Sequence, residues 1–169
     1  GTSSGKTVYT NNKDGYITQT KSYETNGDLR TVENTTYNKQ NLITEQSTLY
    51  YGENNGFQRY TYDRKGRMTQ FELMSSEGKM MLRDVYKYDR NNKIVKINSF
   101  FFAGELGFIL NNYNSYGKIS EKTDYKSDGK IKTKTVFIYD KNQNVIQEIL
   151  YESEYLIPIQ LIETKYEYY

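Results

Sequence analysis

The sequence contains no cysteine and no histidine among its 169 residues. Disulfides, cysteine nucleophiles, catalytic triads with a histidine base and zinc sites built on Cys or His ligands are therefore excluded. Ala103 is the only alanine and Pro158 the only proline, so the best helix former is almost missing. No apolar run reaches the roughly 18 residues of a membrane span. Charge of either sign is not in excess: 23 Lys plus Arg face 21 Asp plus Glu, for a net charge of +2. Arg59, Arg64, Lys65, Arg67, Lys79 and Arg83 gather around one hairpin, but Asp63, Glu72, Glu77 and Asp84 largely cancel them. The electrostatic footprint of a nucleic-acid partner is absent.

What the chain has is tyrosine, 19 residues of it, together with 7 phenylalanines. Aromatics favour strands. With aliphatic residues scarce, the tyrosine rings must do much of the packing, their hydroxyls reaching water or a backbone partner. The mean hydropathy of −0.90 would suit a disordered chain, but disordered segments are poor in aromatics and carry larger net charge.

The arrangement is repetitive. Tyr37, Tyr62, Tyr88, Tyr113 and Tyr139 are each followed by Asp or Asn, at steps of 25, 26, 25 and 26 residues. Behind them come NKQN (38–41), DRKG (63–66), DRNN (89–92), NSYG (114–117) and, with one insertion, DKNQN (140–144). An Asp or Asn opening a type I turn accepts from the backbone two residues on, and a Gly or Asn three positions later takes the left-handed conformation. A second set of turn signals lies midway: TNGD (25–28), GENNG (52–56), SSEG (75–78), AGELG (103–107) and KSDG (126–129). Between turns lie alternating segments such as 130–139, where Ile131, Thr133, Thr135, Phe137 and Tyr139 share one side. The pattern predicts an all-β, antiparallel meander of about 12 strands built from 25–26 residue hairpins, as a long, twisted or curled open sheet. Pro158 fits its last, edge strand. Residues 1–6 are expected to be a disordered lead or tag remnant, with any signal peptide already removed, and 7–169 a single domain. Gly5-Lys6-Thr7 lacks the remaining glycine and the flanking elements of a phosphate-binding loop.

Residues 60–68, YTYDRKGRM, resemble the tyrosine-aspartate (YD) repeat of Rhs-type proteins, Y-x-Y-D-x-x-G-R followed by an aliphatic residue; 86–94, YKYDRNNKI, follow with Asn92 and Lys93 substituted. The chain is also similar to small secreted or envelope proteins of Bacteroidetes with tyrosine-rich hairpins. The resemblance implies an extracytoplasmic β-hairpin sheet that encloses or binds proteins or glycans, with no catalytic residues to carry over. The longer unit and small number of units argue against enclosure.

Candidate site residues are aromatic. Tyr62, Tyr88 and Tyr113 belong to the ladder, which serves either cross-strand packing or an exposed stacking row. The most apolar stretch, SFFFAGELGFIL (99–110), is expected to cluster Phe101, Phe102 and Phe108, either under a covered sheet or as a partner or dimer contact. Turn acids Asp63, Asp89 and Asp140 are expected to cap rather than hold calcium, and no metal or cofactor is expected. The expected function is a non-enzymatic interaction module for an envelope protein or glycan, with self-association as a further option. A carbohydrate-active enzyme with an unrecognised acidic pair and a structural spacer or assembly subunit are the alternatives.

Overall fold

The computed structural model describes residues 5–102, 104–152 and 155–166. The chain divides into two units, residues 1–83 and 84–169. The first contains β1 (Lys6–Asn11), β2 (Ile17–Tyr23), β3 (Leu29–Tyr37), β4 (Ile43–Tyr50), β5 (Glu53–Tyr62) and β6 (Met68–Met74). The boundary falls within β7 (Met80–Tyr88). The second unit continues with β8 (Ile94–Phe101), β9 (Gly104–Tyr113), β10 (Ile119–Lys126), β11 (Ile131–Tyr139), β12 (Val145–Glu152) and β13 (Ile157–Glu163). The thirteen strands lie in chain order in one antiparallel sheet that does not close. This is the expected meander with one strand more. β1 opens at Lys6, inside the expected lead, whose residues 1–4 lie outside the described residues.

A single sheet layer gives little enclosure. Among the described residues only Val32 and Met74 are buried apolar side chains, and Thr123 is a buried polar one. Most strand residues are instead half-buried on both faces. Stability therefore rests on backbone ladders, cross-strand pairs and turns more than on a closed core.

The turns after the odd strands follow one plan six times. The opening Asn or Asp, at 12, 38, 63, 89, 114 and 140, accepts on Oδ1 from the N–H groups two and four residues on, all at 2.8–3.1 Å. Its own N–H donates to the fifth residue's carbonyl, and its carbonyl accepts from the fourth residue's N–H. That fourth residue has positive φ: Gly15, Asn41, Gly66, Asn92, Gly117 and Gln143. The plan corrects the sequence expectation twice. DKNQN carries no insertion, because Gln143 takes the left-handed place at φ 64°. Asn12 to Tyr16 is a sixth loop that the tyrosine rhythm did not mark, since β1 ends in Asn11.

The other turns alternate. Those at 24–28, 75–79 and 126–130 again have five residues closed by the same two backbone bonds. Between β4 and β5 the chain turns on Tyr51 and Gly52 alone. GENNG and 104–107 of AGELG are accordingly not turns along their length: residues 53–56 lie in β5 and 104–107 in β9. Their second glycines, Gly56 and Gly107, sit at irregularities of the β4–β5 and β8–β9 registers, with φ 98° and 143°. A two-hairpin unit of 51 residues results, with Gly56 and Gly107, Tyr51 and Phe102, and Met74 and Tyr125 at matching places.

Candidate functional site

The tyrosine ladder is built into the sheet. Each ladder tyrosine ends an odd strand, and four of them donate their hydroxyl to the backbone carbonyl of the residue opening the strand before: Tyr37 to Ile17, Tyr62 to Ile43, Tyr113 to Ile94 and Tyr139 to Ile119, at 2.6–2.8 Å. Burial pushes the phenols of Tyr62, Tyr113 and Tyr139 above their ordinary value, with help from Tyr60 at the first and from Asp89 at the second. Tyr88 ends β7 and is half-buried like the others. The spacing of about 20 residues between tyrosine and carbonyl follows from the hairpin length. Tyr37, Tyr62, Tyr113 and Tyr139 are thus cross-strand ties whose polar ends are already occupied.

The expected phenylalanine cluster forms only in part. Phe101 and Phe102 meet edge to face, with centroids 4.5 Å apart, and remain 46% and 53% exposed. Phe102 lies in the turn itself, with φ 49°. Phe108 stands elsewhere, because the register puts it opposite Asn98 on one side and Tyr125 on the other. It stacks on Tyr125 at 4.6 Å, and Lys96 Nζ lies 3.9 Å from its ring centre.

The matching turn of the first unit repeats the display. Tyr50 and Tyr51 meet edge to face at 4.6 Å, 44% and 54% exposed, with Tyr51 at φ 48°. The Tyr51 hydroxyl donates to Glu24 Oε1 at 2.7 Å, and this bond to a carboxylate holds the phenol above its ordinary value. The sequence reading passed over this pair; the doubled aromatic before a glycine, YYG against FFAG, was the available signal. A large residue at positive φ is strained by about 1–2 kcal/mol.

Beside each bulge glycine lies a shallow depression. The one at Gly56, about 380 Å³, is lined by amides and hydroxyls, including Gln46, Thr48, Asn55 and Gln58. The one at Gly107, about 260 Å³, is more apolar, with Leu106, Phe108, Ile109 and Tyr125 beside Lys126 and Lys132. Neither shows an acid pair poised for hydrolysis. The carboxyls that shift are all held below their ordinary value: Glu121 through Lys134, whose Nζ lies 2.7 Å away; Glu77 through Ser76 and Ser75; and Asp63 through Arg67 and Lys65, against the upward pull of desolvation. Asp63, Asp89 and Asp140 each direct Oδ1 at two backbone N–H groups. Among the described residues no three acids gather to hold a metal, and no helix is long and apolar enough to cross a membrane.

No family model matches the chain, and no curated protein matches it. Solved structures share its fold. The TcdB2-TccC3-TEV structure matches with a TM-score of 0.60 at 13% identity, over 94% of this chain and 10% of that one. The Photorhabdus luminescens Tc holotoxin pore with the TccC3-D651A mutation matches at 0.57 and 11%, over 93% and 9%. A porin-like protein from Bacteroides uniformis matches at 0.56 and 13%, over 94% of this chain and 74% of its own. The chain thus spans about a tenth of the length of the toxin chains. At such identities the likeness is one of fold, and the chain is a β-repeat scaffold.

Proposed function

We propose that the chain is a YD/Rhs-like hairpin-repeat scaffold acting outside the cytoplasm as a non-enzymatic interaction module for an envelope protein or a glycan. The observation that carries this reading is the Phe101–Phe102 pair, held solvent-exposed on a turn that strains its own backbone. Strain retained at an exposed aromatic points to a use other than stability. Tyr50 and Tyr51 offer the same surface in the first unit. Flat rings of this kind stack on sugar faces or apolar peptide side chains. The ladder residues Tyr62, Tyr88 and Tyr113 belong to the framework at the opposite end of the strands, and Phe108 stands apart from the pair, stacked on Tyr125. The likeness to the toxin chains and the porin-like protein supports the scaffold and its repeat character.

Phe102→Gly tests the reading, because glycine relieves the positive φ. The variant is expected to melt at or above the parent's temperature and to lose ligand capture on a glycan array or by envelope proteins. Unchanged capture, or a parent protein silent on both, would remove the interaction reading and leave a spacer.

A further inference from the structure

β1, β5, β9 and β13 occupy the same place in successive 51-residue units, and three of them carry a glycine where the following strand crosses. A Cβ on Gly5 would meet the carbonyl of Tyr23, one on Gly56 that of Met74, and one on Gly107 that of Tyr125, each closer than the 3.0 Å that real Cβ atoms respect. In each case the next residue pairs with that same neighbour: Lys6 with Tyr23, Phe57 with Met74, Phe108 with Tyr125. The glycine is therefore what lets β2, β6 and β10 lie down.

The register identifies the corresponding residue of β13. Phe57 faces Ser47, Phe108 faces Asn98 and Leu161 faces Ile149 across the preceding strand, so Gln160 stands where Gly56 and Gly107 stand. The register irregularity precedes it in the same way, between Leu150 and Tyr151. Gln160 brings a Cβ, and unlike Gly56 and Gly107 it has no positive φ. Among the described strands β13 pairs with β12 alone, and all seven of its residues are exposed, Ile157, Ile159, Leu161 and Ile162 among them. Such an apolar edge invites another strand unless something prevents it.

We propose that Gln160 closes the free edge of β13 to the strand that the repeat would otherwise place there, so that β13 caps the sheet instead of extending it. The carbonyl of an added strand of the β2, β6 or β10 kind would run into the Gln160 Cβ, which backbone cannot relieve without losing the ladder on either side. The inference stands apart from the interaction reading, which concerns the turns.

The test appends a strand of that kind. In the full chain, residues 165–169 are replaced by a copy of residues 112–126, which carries the end of β9, its loop and β10. Backbone amide exchange is then followed by mass spectrometry in chains with Gln160, Gln160→Gly and Gln160→Ala. β9 amides serve as the folding control in all three. The appended strand is expected to be protected in the glycine chain and to exchange freely in the other two. Protection with glutamine or alanine at 160, or free exchange with glycine there, would overturn the proposal.

Discussion

The loop opened by Asn114 and the turn holding Phe102 lie at opposite ends of β9 and treat their large groups in opposite ways. At the first, Asn114 Oδ1 holds two backbone N–H groups, and the neighbouring Tyr113 hydroxyl holds the Ile94 carbonyl. At the second, two phenyl rings stand in solvent on a left-handed residue. The Oδ1 clamp occurs at six of the described loops, with the tyrosine bond beside it at four, and it needs only short polar side chains in fixed places. The second appears at the β4–β5 and β8–β9 turns, where Gly56 and Gly107 mark a register irregularity in the following strand. A sheet one layer thick can be stabilised at one end and display rings at the other because its strands couple the two only through backbone.

Three measurements sharpen that contrast. The largest effect is expected at the bulge, where Gly107→Ala sets a Cβ against the Tyr125 carbonyl at φ 143°. A loss of about 3 kcal/mol or more is expected by denaturant titration. Gly104→Ala, whose Cβ would sit an ordinary 3.7 Å from the Phe101 carbonyl, should cost under about 1 kcal/mol. Equal costs would mean that the bulge does not govern the strand.

Next comes the loop. Asn114→Ala leaves the N–H groups of Tyr116 and Lys118 without their acceptor, an expected loss of about 1–2 kcal/mol. Phe102→Gly, at the opposite end of the same strand, should lose nothing. A loop variant as stable as the parent would break the contrast.

The smallest effect concerns the ladder, at about 1 kcal/mol per hydroxyl for Tyr62→Phe, Tyr113→Phe and Tyr139→Phe. Burial raises these phenols in the folded chain. Their contribution is therefore complete below the unfolded value near 10 and is lost as pH rises through the folded values. The melting-temperature gap between the parent and the triple variant should be widest near neutrality and shrink above about pH 10. A gap that stayed constant into strong alkali would show that the hydroxyls are not held as the structure places them.

The strand rhythm, the antiparallel order and the capping role of Asp63, Asp89 and Asp140 were legible because each depends on residues within a few positions of one another. The alternation of 25 and 26 residues also carried the 51-residue unit, since the two steps sum to it. Its cause was hidden: GENNG and AGELG look like turns, and only pairing across β4 and β8 reveals the second glycine as a bulge. The expected Phe101–Phe102–Phe108 cluster forms only at Phe101 and Phe102 for the same reason. The bulge shifts the register so that Phe108 faces Asn98 and Tyr125, three rows from the turn.

Local chemistry by itself determined where this chain reverses, because Asn, Asp and Gly satisfy a tight loop from within five residues. It also determined that the described residues would form strands and no helix, through the near lack of alanine and the surplus of tyrosine. Only the tertiary structure decided which carbonyl each tyrosine ties, which rings stay in water and which strand is left with a side chain where its equivalents have glycine. Those depend on register between strands, a relation among residues tens of positions apart that no short stretch of sequence contains.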